Sequence, residues 1–185
     1  MKEKEFKKLL KADFSTALHQ TMVKEINYKD KKYIFIGNPA NFVLVENMFN
    51  IDVKPVNEDY DFITIDSIKR LIAKDKPYKR YIFSNYINKQ YFHRISMIDR
   101  YLLKSVNKFL PPYTISGLYS IWWLMEEAEV DRFYFDDYKV LIPFEKFSGV
   151  FMSALTDSFD KACFDEEETV FINDILPINI KEERK

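Results

Sequence analysis

Residues 38–49, NPANFVLVENMF, read in two incompatible ways. Asn38 ahead of Pro39 is a helix start, because asparagine caps free amides and proline at the first helical position gives up no needed donor. The run Phe42-Val43-Leu44-Val45 serves equally well as a strand, since periodicity alone does not separate a short buried strand from a buried helix. The cap tips the reading to helix, and the segments on either side are read against that choice.

Toward the N-terminus, KEKEFKKLLKA (2–12) is a short amphipathic helix with Phe6, Leu9 and Leu10 on one face. TMVKEINY (21–28) and KKYIFIG (31–37), separated by Lys29-Asp30, form a hairpin. Toward the C-terminus, YDFITID (60–66) reads as a strand and SIKRLIAKD (67–75) as a helix capped by Asp66 or Ser67. Pro77 stops that helix, and KRYIFSN (79–85) follows as a strand. From Asn88 as cap, Tyr91, Ile95, Ile98, Leu102, Val106 and Phe109 recur at steps of three and four, up to Pro111-Pro112. That spacing predicts a helix over 89–110, about 30 Å long.

ISGLYSIWWLMEEAE (115–129) predicts a second helix, apolar nearly all round through Trp122–Met125 and therefore central. DRFYF (131–135) and YKVLIPF (138–144) make a hairpin turning at Asp136-Asp137. EKFSGVFMSALTDSFDKACF (145–164) predicts a third long helix that buries Phe147, Val150 or Phe151, Ala154, Phe159 and Ala162. TVFINDILPINI (169–180) gives a last short strand. The expected fold is α+β: one compact domain over 1–180 with several hairpins, three or more substantial helices (about 89–110, 115–130 and 145–163), and a frayed tail at 181–185.

The composition suits a soluble globular chain: of 185 residues, 47% are hydrophobic and 31% charged, enough for a real core and a wet surface. The 17 Phe, 12 Tyr and 2 Trp must be mostly core, because aromatic side chains carry large buried areas. The single cysteine, Cys163, forms no internal disulfide and reads as a buried structural thiol. No apolar run reaches the roughly 18 residues of a membrane helix, and the charged N-terminus lacks the apolar core of a signal peptide. The expectation is a cytoplasmic protein with no membrane contact.

Charge is segregated along the chain. Residues 67–110 hold 11 basic side chains against Asp75 and Asp99, whereas 111–185 hold 7 basic and 16 acidic ones. On a helix over 89–110, Lys89, His93, Arg100, Lys104 and Lys108 fall opposite the apolar face, and Lys76, Lys79 and Arg80 precede them. Such a basic stripe with interleaved tyrosines meets either an acidic protein face or nucleic acid, whose phosphates need cations and whose bases stack on aromatics. It is equally the wet side that any amphipathic helix must have. The mirror feature is acidic: Glu126, Glu127 and Glu129, then Asp165, Glu166, Glu167 and Glu168. These would imitate phosphates, pair with the stripe inside the fold, or meet it on a second copy in a head-to-tail arrangement.

The inventory for catalysis is thin. His19 and His93 are the only histidines, and no Cys/His spacing suits zinc. Glycine, at 3 residues, is too scarce for a phosphate-cradling loop, and GNPAN (37–41) offers only a lone glycine. Asp59, Asp61 and Asp66 gather near one expected strand, and Asp131, Asp137 and Lys139 only distantly resemble a metal-dependent nuclease pattern. No cofactor or metal is expected. The function expected is binding or assembly through protein–protein contacts, self-association included, between oppositely charged faces. The alternative is nucleic-acid binding by 76–108, and an enzyme comes third.

Overall fold

In the computed structural model, which describes residues 2–57, 63–72, 78–82, 117, 120–130, 132–136, 139–154, 168–175 and 178–183, residues Asn41–Glu46 are a strand. The expected helix start is a hairpin turn. Asn38 Oδ1 accepts from the amides of Ala40 (3.0 Å) and Asn41 (3.1 Å), the same side-chain-to-backbone bonds an N-cap makes, but closing a turn. Asn38 Nδ2 donates to Phe14 O at 2.7 Å, tying the turn to the N-terminal segment. Gly37 beside it is obligatory: its φ is +140°, and an added Cβ would lie 2.3 Å from Asn41 O.

The strands are β1 (Met22–Tyr28), β2 (Lys31–Asn38), β3 (Asn41–Glu46), β4 (Tyr78–Ile82), β5 (Arg132–Phe135), β6 (Lys139–Phe144), β7 (Gly149–Ala154), β8 (Glu168–Ile175) and β9 (Ile178–Glu183). They form one sheet in the order β1-β2-β3-β7-β6-β5-β4-β8-β9. Every neighbouring pair is antiparallel. The expected β1–β2 hairpin is present, with Lys29 (φ 48°) and Asp30 (φ 60°) both left-handed, as a two-residue turn matching strand twist requires. The expected hairpin over 131–144 is present as β5–β6.

The helices among the described residues are short. α1 (Glu3–Phe6) runs into a 3-10 turn at Lys7–Lys11, α2 is Ile65–Ile72, and α3 is Trp122–Glu127. The expectation of three or more substantial helices is therefore corrected. Of the helix expected over 115–130, Gly117, Ser120 and α3 are helical, and the described part of the one expected over 145–163, residues 145–154, is a 3-10 turn at Glu145–Phe147 followed by β7. The helix expected over 89–110 lies outside the described residues. Mostly antiparallel sheet with short helices, not α+β with long ones, is the architecture of the described chain.

The reason lies in burial. Val43, Val45, Ile34, Ile36, Ile142 and Phe151 belong to a cluster on one face of the sheet, under α1 and α3. Phe42, Leu44, Phe35, Leu141, Val150 and Met152 belong to a cluster on the other, under α2. A strand covered on both faces is apolar at every position, so the period-two signal vanishes. α2 belongs to the connection from β3 to β4 and α3 to that from β4 to β5, and the two pack on opposite faces. α2 begins with a reciprocal cap at Thr64, two residues before the earlier of the two expected caps: Ser67 N donates to Thr64 Oγ1 (3.2 Å) and Thr64 N donates to Ser67 Oγ (2.9 Å).

Candidate protein-binding cleft

The sequence-level site residues fare unevenly. Lys76, Lys89, His93, Arg100, Lys104, Lys108, Asp165, Glu166 and Glu167 lie outside the described residues. Lys79 and Arg80 sit on β4, where the register sets Lys79 opposite Thr169 and Arg80 opposite Glu168 on β8. Arg80 of the basic segment and Glu168 of the acidic one thus lie on neighbouring strands. Glu126, Glu127 and Glu129 are all exposed at the end of α3, and they are brought together with residues from distant parts of the chain.

Between α1, α3 and the turn after β6 opens a cleft of about 450 Å³, lined by Glu5, Lys8, Trp123, Glu126, Glu127, Glu129 and Lys146. Each wall is fixed by a buried neighbour: Phe6 and Leu9 for the first, Leu124 and Met125 for α3, and Phe147 for the turn. Trp123 packs one side against this core and, half-buried, turns the rest toward the cleft. Lys8 Nζ stands 5.8 Å from the centre of the Trp123 ring. Lys146 Nζ lies 2.8 Å from Glu129 Oε2 and donates to Glu127 O at 3.5 Å. The Lys2 amide donates to Glu5 Oε2 (3.1 Å), and this bond, ahead of nearby lysine charge, holds the Glu5 carboxyl below the usual carboxylate range.

Local physics disfavours this arrangement. The C-terminal end of a helix carries partial negative charge and favours cations, yet α3 ends on Glu126 and Glu127 with no basic residue in its last turn. The helix closes in a Schellman turn: Val130 N donates to Met125 O (3.0 Å) and Glu129 N to Glu126 O (3.1 Å). The left-handed residue of that motif is usually glycine, but here it is Glu129, at φ 54°. A non-glycine residue there costs about 1 kcal/mol. Positions that break several local rules at once are where function is expected to reside.

Glu5, Lys8, Trp123 and Lys146 were not foreseen as site residues. Trp123 read as core, and the others carry no local pattern; the legible signal was the run of acids on a helix end. Among the described residues no group of three or more His, Cys, Asp or Glu is placed to hold a metal ion. No helix among them is long and apolar enough to cross a membrane. Lys139, of the weak nuclease-like pattern, is 5% exposed, with its ammonium donating to Leu71 O and 3.6 Å from Asp136 Oδ2. Compared with known proteins, the chain matches no family model, no curated protein and no solved structure.

Proposed function

We propose that this protein acts by binding another protein, and that the cleft around Trp123 is the face it uses. The observation that carries the reading is the end of α3, where Glu126, Glu127 and left-handed Glu129 are held beside an accessible indole against the preferences of the helix. An aromatic anchor ringed by charge supplies affinity from the ring, and orientation and encounter rate from the carboxylates. The lining holds four carboxylates and two ammoniums, so its partner carries net positive charge.

The test compares wild type with the triple variant Glu126→Lys, Glu127→Lys, Glu129→Lys as baits in the same extract, followed by titration of the captured protein in purified form. A partner held by wild type, lost by the variant and weakened by salt is the expected result. Equal capture by both baits overturns the reading. Light scattering on each purified protein shows whether the partner is a second copy. Binding of nucleic acid by the triple variant and wild type alike would move the function to the basic segment instead.

A further inference from the structure

We infer that the cleft takes an arginine side chain from its partner, and that Lys8 occupies the arginine's position until the partner arrives. The inference rests on the cleft being a binding face. Two kinds of cation-holding group line it, an indole ring and carboxylates, and each already holds one of the protein's own ammoniums: Lys8 over Trp123 and Lys146 on Glu129. The cleft's selectivity for cations is thus displayed inside the molecule.

The two residents differ in how tightly they sit. Lys146 is at contact distance from a carboxylate oxygen, 2.8 Å. Lys8 is exposed, and 5.8 Å from the ring centre is the outer edge of a useful cation–π contact. It is the more easily displaced.

Arginine is the better occupant on chemical grounds. An ammonium is compact and strongly hydrated, so it gives up water reluctantly to lie on an indole. A guanidinium is planar and weakly hydrated, stacks flat on the ring, and keeps N–H groups along its edge for a carboxylate. Trp123 together with the rim acids of α3 offers both partners to one side chain, whereas Lys8 lies over the ring at 5.8 Å and its charge also acts on Glu5. A cleft of about 450 Å³ has room for that group and the chain that carries it.

Calorimetric titration with nona-arginine and nona-lysine peptides tests this, because the two probes match in charge and differ chiefly in the head group. Nona-arginine should bind wild type about three- to fivefold tighter than nona-lysine, the ratio expected for one exposed cation–π contact. Trp123→Leu should erase that preference. Since Trp123 is half-buried, Lys8→Met provides a variant that leaves the core untouched. It should tighten nona-arginine by about threefold, whereas Lys7→Met, the same charge change one residue away, should tighten it less than half as much. Equal affinity for the two peptides, or equal effects of Lys7→Met and Lys8→Met, overturns the inference, because charge alone would then explain binding. If either occurs while the triple glutamate reversal still abolishes capture of the natural partner, the binding face stands and only the arginine is wrong.

Discussion

Glu129 is where stability and function pull apart most clearly. Its backbone is left-handed (φ 54°), its side chain is 77% exposed, and its ion pair with Lys146 is a surface pair of the kind that contributes at most about 1 kcal/mol. Replacing it by glycine relieves the backbone and loses that pair. Glu129→Gly should therefore raise stability by up to about 1 kcal/mol in urea unfolding, while weakening capture of a cationic partner. A variant that is both less stable and fully competent would show that the carboxylate sits there for structural reasons. Asn47 makes the contrasting case of a polar residue wholly absorbed by structure. Its side-chain amide exchanges two bonds with Ile51, accepting from the Ile51 amide and donating to its carbonyl (both 2.9 Å), and so imitates a strand partner for an irregular loop.

At the scale of elements, α2 is held at its C-terminal end by the sheet. Tyr78 Oη donates to Ile72 O at 2.7 Å, and the Lys139 ammonium donates to Leu71 O, so carbonyls left open by the end of the helix find donors on β4 and β6. Burial, with a smaller contribution from Asp136, pushes the Tyr78 hydroxyl well above its ordinary value, and burial does the same, less strongly, to Tyr33. The sign follows from linkage. The unfolded tyrosine ionises near pH 10 and the folded one does not, so stability is intact below about pH 10 and falls as pH rises beyond it. Tyr78→Phe should cost about 1 kcal/mol at pH 7 through the lost hydrogen bond, yet flatten the alkaline decline. An unchanged slope above pH 10 in the variant would contradict this assignment. β1 was legible because polar side chains are still interspersed with apolar ones, as Lys24 and Glu25 are before Ile26, whereas β2 and β6, buried over Tyr33–Asn38 and Lys139–Phe144, were legible only through the turn residues Lys29-Asp30 and Asp136-Asp137 beside them. β3 and β7 were not legible, because Phe42–Val45 and Val150–Met152 are buried on both sides, offer no period to read, and follow no turn that reads as one: Asn38-Pro39 reads as a helix cap. The acids of the cleft were visible as a run. Their companions Glu5, Lys8 and Lys146 were not, since only the packing of Phe6, Leu9 and Phe147 brings those walls together.

At the scale of the whole molecule, the sheet consists of one meander, β1-β2-β3, laid against another, β7-β6-β5, with β4 and the β8–β9 hairpin beyond. The seam is the β3–β7 ladder, where Phe42 faces Met152, Val43 faces Phe151 and Leu44 faces Val150. Because the apolar clusters on both faces of the sheet cross this seam, the contact is core rather than accessory. Cutting the chain after residue 57 should therefore leave two pieces, 1–57 and 58–185, that recover one another when produced together and co-elute as a single species. Separate, soluble, monomeric pieces would contradict a shared core.

The same seam sets a schedule for synthesis. Strand β3 leaves the ribosome with one edge bare, and its partner β7 follows only about 100 residues later. At about 5–20 residues per second, that interval is on the order of 5–20 s. During it, the most apolar strand of the N-terminal meander has unpaired amides and carbonyls on display, the condition under which nascent chains pair with one another. Slowing translation across the intervening stretch should thus increase aggregation of this protein, where for many chains it would aid folding.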